Sequence, residues 1–307
     1  MHPAAVLTPP ADAAPDGRRV RRPLPHRPVF LAVPAVLFVL VVFVLPCAWV
    51  VRVAAAGPAD AGSGTFFDLD VFAPSNLLTV LRDDLFRTVL GVTLRLGAVI
   101  TVICLVVAVP FAAYLHLARG WRKRALLLTV VFPKLVNLLI LLYGVMLILG
   151  SDGFLNQALR AAGITDQPLP MFANLFAVVF TEVYVVLPYP VLILTAAFHA
   201  ADPRHYDAAR SLGAGPLRAY LETVVRPAFP AVVGAALVSA VWGVGAFVGP
   251  LVMGNPRYYT LSVEVYERAL NRLEWVDAAG WAVLGVLVFA ALTGSAALLA
   301  RRRGSRW

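Results

Sequence analysis

Residues 29–51 read VFLAVPAVLFVLVVFVLPCAWVV, an apolar run of 23 residues without a charge. As a helix rising 1.5 Å per residue, it is long enough to cross a hydrocarbon core of about 30 Å. Five further runs follow, at about 96–115 (with a start as early as Thr88), 125–150, 171–200, 228–253 and 278–300. Pro110, Pro133, Pro188 and Pro190 fall inside them, and neighbouring helices can satisfy the backbone groups they free. The expected fold is an all-α polytopic membrane protein with six transmembrane helices.

Composition agrees. Of the 307 residues, 60% are hydrophobic and only 14% charged, against about 25% charged in soluble domains. The net charge of +9 does not point to nucleic acid, because the basic residues lie between and outside the apolar runs and act as topology signals. The tail over 1–28 is rich in Pro, Ala and Arg and is expected to be disordered. No small-residue cleavage site follows a short apolar core, so it does not read as a signal peptide.

Orientation follows from Lys and Arg. The N-terminal tail, the loop at 119–124, the loop at 202–227 and the tail at 301–307 hold 17 of the 26 basic residues. The intervening loops carry most of the acids, among them Asp83, Asp84, Glu264, Glu274 and Asp277. The positive-inside rule then places both termini in the cytoplasm. The membrane domain covers 29–300. The opposite loops run roughly 20 to 40 residues, too short for a domain of typical size, about 100–150 residues.

No chemistry-bearing cluster is expected. Cys47 and Cys104 lie singly in apolar runs, and the five histidines show no i, i+4 pair for a metal. There is no G-x-x-x-x-G-K-[ST] phosphate loop, so no nucleotide or other cofactor is expected in this chain. A membrane-embedded enzyme would need a nucleophile and base at one depth, and none is apparent.

The loop ADPRHYDAARSLGAGPLRAYLETVVRPAFP (201–230) carries more information. Asp202 and Pro203 make an N-cap followed by proline at the first helical position. Gly213 can stop that helix in the left-handed conformation. Pro216 opens a second helix with Leu217, Tyr220, Leu221, Val224 and Val225 at helical spacing, and Pro227 closes it. An amphipathic linker lying on lipid headgroups explains the stripe. It does not explain small residues at Ala208 and Ala209 followed by Gly213.

DAARSLGAG resembles the loop motif of binding-protein-dependent ABC importer permeases, E-A-A, three residues, then Gly. In that family the loop is a coupling helix seated in the ATPase subunit. The resemblance gives this role to Asp207, Ala208, Ala209 and Gly213, with Arg210 and Leu212 in the same docking segment. Asp207 replaces the family Glu, and Arg226 stands where a Pro is usual, one residue before Pro227. The resemblance runs from Val29 onward and is nearest the spermidine/putrescine-type branch, as in VYVVLPYPVLIL (183–194) and AFVGPLVMGNPRYYTLSVEVYE (246–267). It implies the fold of a type I importer permease in the cell inner membrane. It also implies partners: ABC ATPase subunits, a second permease subunit that is a similar but different chain, and an extracytoplasmic solute-binding protein. A self-contained secondary transporter leaves the loop motif unexplained.

Arg95, Lys134 and Glu182 fall within the apolar runs, where charges are costly and face a cavity or a partner; Arg95, near the outer end of the second run, can instead snorkel to the interface. Two readings of Lys134 and Glu182 stand: a buried pair that stabilises the bundle, or residues lining the solute path with Asn137, Tyr143, Tyr184 and Trp242 as neighbours. Glu182 with Tyr184 suits a cation. Lys134 suits an anion, as does Leu141, which stands where the polyamine-type branch tends to carry Arg.

Overall fold

The computed structural model describes residues 28–58 and 66–304. The tail expected to be disordered therefore lies outside the described residues except for Pro28, and so do residues 305–307. The chain divides into two compact units, Met1–Ala48 and Trp49–Trp307.

The described part of the first unit is helical: α1 (Pro28–Val39), a π-helical turn at Leu40–Val44, and the start of α2 (Leu45–Ala54). Pro46 accounts for the turn. It cannot donate to the carbonyl of Val42, and its ring crowds that carbonyl. Val36 to Val44 are all exposed, the surface of a helix meant for an apolar surrounding.

In the second unit, β1 (Ala56–Pro58) and β2 (Phe67–Phe72) form a short antiparallel ribbon that the sequence did not announce. The Arg52 guanidinium holds the Leu69 carbonyl and lies 5.6 Å from the Phe72 ring. Then come α3 (Ser75–Arg82) and α4 (Asp84–Leu117), the latter capped by the Asp83 side chain, which accepts from the Leu85 amide. α4 begins well before the apolar run because Asp84 and Arg87 extend it with polar turns. This puts Arg95 about 16 Å along the helix, not at its end.

The remaining helices are α5 (Gly120–Leu135), α6 (Leu138–Leu149), α7 (Phe154–Ala161), α8 (Leu175–Val186), α9 (Pro188–His199), α10 (Pro203–Ser211), α11 (Pro216–Tyr220), α12 (Phe229–Val244), α13 (Val248–Met253), α14 (Leu261–Tyr266) and α15 (Trp275–Gly304). Among the described residues, four helical stretches are long and apolar enough to cross a membrane, and up to six if each bent pair counts as one span. The structure breaks three of the runs read as single spans. The run at 125–150 parts at Val136–Asn137, where Asn137 accepts from the Leu139 amide at 2.9 Å and caps α6. The run at 171–200 bends by 41° before Pro188, which has no amide to donate. The run at 228–253 stops at Gly245, and α13 follows as a separate helix. The C-terminal residues 301–304, read as a tail, complete α15.

One stripe of α4 organises the core. Phe86, Val89, Thr93, Leu96, Ile100, Cys104, Ala108, Ala112 and Leu115 are all buried, three or four residues apart, and Gly97 joins them beside Leu96. Leu96, Ile100 and Cys104 pack with Leu142, Val178 and Met253. Ala108, Ala112 and Leu115 pack with Val191, Leu194, Phe198 and Ala235. At Gly97 and Gly243 the backbones of α4 and α12 touch. A Cβ on Gly243 would stand 3.0 Å from Gly97 Cα, and one on Gly97 would stand 2.6 Å from Val244 Cγ2. Small residues permit such contacts between spanning helices.

A methyl group should therefore have opposite effects at two nearby glycines of α12. Gly243→Ala is expected to destabilise the purified protein by about 1–3 kcal/mol through overpacking. Gly234, with open space at its Cβ position, should gain helix propensity as Ala and hold or raise the melting temperature. Thermal unfolding in detergent separates the two.

Candidate functional site

The loop at 202–227 folds as a helical hairpin. Asp202 caps α10 by accepting from the Arg204 amide at 2.9 Å. At the other end Gly213 takes φ +89°. The Gly213 amide donates to the Arg210 carbonyl and the Ala214 amide to the Ala209 carbonyl, each at 3.1 Å. These two bonds make a Schellman cap. Arg210 Nη1 donates to the Ala214 carbonyl at 2.6 Å and braces the turn from the side. Asp207, Ala208, Arg210 and Gly213 are exposed, Ala209 is half-buried, and Leu212 is 90% exposed. The tip is a compact knob with an apolar end.

Behind the tip, α11 runs into a π-helical turn at Leu221–Val225 and bends by 73° into α12. Of its apolar stripe, Tyr220 and Val224 are buried, whereas Leu217 and Leu221 are exposed. Tyr220 meets Phe198 of α9 and His116 of α4, with ring centroids 6.3 and 5.9 Å apart. His116 and His199 pack edge to face at 4.9 Å. Lys123 of α5 donates to His199 Nε2, so His199 Nδ1 carries the proton it gives to the Thr195 carbonyl at 2.7 Å. The hairpin is thus seated on the ends of α4, α5 and α9.

The charges within the spans are arranged differently from a simple pair. Glu182 of α8 is 7% exposed. Its carboxylate accepts from the Gly249 amide, a first-turn donor of α13 with no partner in its own helix. A Cβ on Gly249 would collide with that carboxylate. Lys134, in the last turn of α5, feels the Glu182 charge, but among the described residues no ion pair joins them. Its ammonium instead lies 4.2 Å from the ring centroid of Tyr189 and 5.4 Å from that of Trp242. Those two rings stack at 5.0 Å and 17°. Asn137 caps α6. Tyr143 and Tyr184 are exposed on α6 and α8 and make no ring contact with the Lys134 group among the described residues.

Two features were missed from sequence. Tyr189 is one, although its place between Pro188 and Pro190, at the bend, marks it. The other is Arg268, 7% exposed. Its guanidinium meets Glu264 at 3.4 Å, Glu274 at 3.5 Å, Asp83 at 3.9 Å and Asp277 at 4.0 Å, and lies 4.1 Å from the Trp281 ring. Arg272 adds a contact to Glu264 at 3.3 Å. The acids read singly as loop charges thus converge on one arginine, which joins the starts of α4 and α15 to α14.

No family model matches the chain. Among curated relatives, the spermidine/putrescine transport system permease protein PotB of Escherichia coli is 28% identical over 197 residues, 64% of this chain and 72% of PotB. The molybdenum transport system permease protein ModB of Mycobacterium tuberculosis is 31% identical over 213 residues, 67% of this chain and 76% of ModB. The chain belongs to the ABC importer permeases. A bacterial alginate ABC transporter, crystallised in complex with an alginate pentasaccharide-bound periplasmic protein, has the same fold. The TM-score is 0.74 at 13% identity, over 90% of this chain and 94% of that one. The permease is accordingly a multi-pass protein of the inner membrane and a transport subunit, not an enzyme.

Removing the central cation should be costly. Arg268→Met leaves the almost fully buried Glu264 with only the half-exposed Arg272, and removes the cation shared by Asp83, Glu274 and Asp277. The permease is expected to lose about 3–5 kcal/mol, read as a marked fall in melting temperature. Glu274→Gln, at a side chain 44% exposed, should cost about 1 kcal/mol or less.

Proposed function

We propose that this permease forms half of the translocation path for a small polyamine-like solute, delivered by an extracytoplasmic binding protein and moved by ATP hydrolysis in separate ABC ATPase subunits. A second, similar permease subunit completes the path. The observation that carries the coupling assignment is the knob at 207–213. Its small residues Ala208 and Ala209, the left-handed Gly213 and the projecting Leu212 form a rigid tip that a groove can hold. The seating of Tyr220 on His116 and Phe198 supports a path from that tip to the spans. Both termini and the 202–227 loop are assigned to the cytoplasm by the distribution of arginine. Membrane lipid covers the remaining apolar surface.

For the solute path, Lys134, Glu182, Tyr189 and Trp242 are the residues assigned, and Asn137, Tyr143 and Tyr184 border them. A cationic cargo is supported by the buried Glu182 carboxylate, by the aromatic pair and by the likeness to PotB. The ammonium of Lys134 and the likeness to ModB favour a second reading, an oxyanion cargo.

Gly213→Asp is expected to abolish uptake and capture of the ATPase subunit while leaving membrane insertion intact. The new side chain cannot adopt φ +89° without strain and adds a charge at the contact. Uptake at the wild-type rate by this variant would remove the coupling assignment. Mild detergent extraction of the unaltered permease should bring down an ATPase subunit and a second permease. Repeated recovery of this chain alone, with uptake independent of ATP, would point to a secondary transporter.

A further inference from the structure

We propose that Tyr189 and Trp242 form an ammonium-binding pair on the solute path, and that Lys134 is a tethered stand-in which the terminal ammonium of a polyamine displaces. This deepens the cationic reading above and rests on it.

The chemistry of the occupant is the first reason. A lysine side chain ends in a primary ammonium on a flexible alkyl stem, the same group that ends a linear polyamine. The site that holds Lys134 therefore already accommodates that group. It does so with ring faces 4.2 and 5.4 Å from the nitrogen, without the fixed fork a guanidinium would impose. A compact cation on two ring faces has no directional bond to break, so one ammonium can replace another.

Access is the second reason. Lys134 is exposed on this chain, Tyr189 half-buried and Trp242 45% exposed. An ammonium on an apolar span does not face lipid. This surface, built from the ends of α5 and α12 and the start of α9, borders water or another subunit. The rings stack nearly parallel, at 17° and 5.0 Å, so Trp242 holds the Tyr189 ring, the nearer of the two to the ammonium, in place.

The third reason is the electrostatic setting. Glu182 is within electrostatic reach of Lys134 yet forms no ion pair with it among the described residues. Its carboxylate is held by the Gly249 amide. It supplies negative potential to whichever cation occupies the rings, without clamping Lys134 in place. Lys134 is also the second-last residue of α5, before the break at Val136–Asn137, where its stem can swing aside.

The test uses the complete transporter in cells, with radiolabelled putrescine as probe and copurification of the ATPase subunit as the measure of assembly. Tyr189→Leu and Trp242→Leu should lower the maximal uptake rate at least tenfold with KM, set by the binding protein, within twofold of wild type. Tyr189→Phe and Trp242→Phe, which keep a ring face, should retain at least a third of the rate. Lys134→Met should raise the rate above wild type, because the tethered competitor has been removed. Wild-type cells that take up no putrescine would overturn the cationic reading and this inference together. If wild type transports putrescine, three results overturn the inference alone: leucine variants at full rate, phenylalanine variants as impaired as leucine, or Lys134→Met at or below the wild-type rate. Where the leucine variants do not assemble, the Lys134→Met and phenylalanine results decide it.

Discussion

The contact between Gly97 and Gly243 constrains everything around it. Spanning helices gain nothing from leaving lipid for one another's apolar side chains, so their association depends on close packing and polar contacts. Bringing α4 and α12 into backbone contact lets the buried stripe of α4 reach α9 as well, and those helices form the interior on which the others lean. The hairpin at one end and the arginine cluster at the other are attachments to this interior. Both are anchored to α4, through His116 and through Asp83.

The two in-span charges show how a lipid-facing protein handles ions. Neither is neutralised by a simple salt bridge. Glu182 is satisfied by a backbone amide that only a glycine can bring so close. Lys134 is satisfied by ring faces. Neither partner is an opposite charge, so neither ion is locked in a pair with the other. Arg268 is the opposite case. Four carboxylates and an indole surround it, and it has the character of a structural joint.

Much of the fold was legible because membranes enforce long apolar runs, and because Asp202–Pro203, Gly213 and Pro216 each carry a local rule that the backbone obeys. What was not legible came from breaks and from distance. Asn137 caps a helix, and the break it marks puts Lys134 at a helix end inside what reads as one continuous run. Pro188 bends its run and turns Tyr189 toward α5 and α12, a direction that no periodicity contains. The partners of Arg268 are spread from Asp83 to Trp281 in sequence, so their convergence needed the fold. The ribbon of β1 and β2 was hidden by its length, since β1 has only three residues.

α4 has 34 residues, about 50 Å of helix, and continues through Pro110. Most other spans are broken: α5 from α6, α8 from α9, α12 from α13. A jointed helix can dissipate a push by flexing at its break. A continuous one behaves as a rod. Because the hairpin bears on one end of this rod and the Arg268 cluster grips the other, a tilt imposed at the hairpin reappears at the far end with reversed sense, as on a see-saw. The two attachments are then linked by the stiffness of a single helix, with no chain of contacts needed between them.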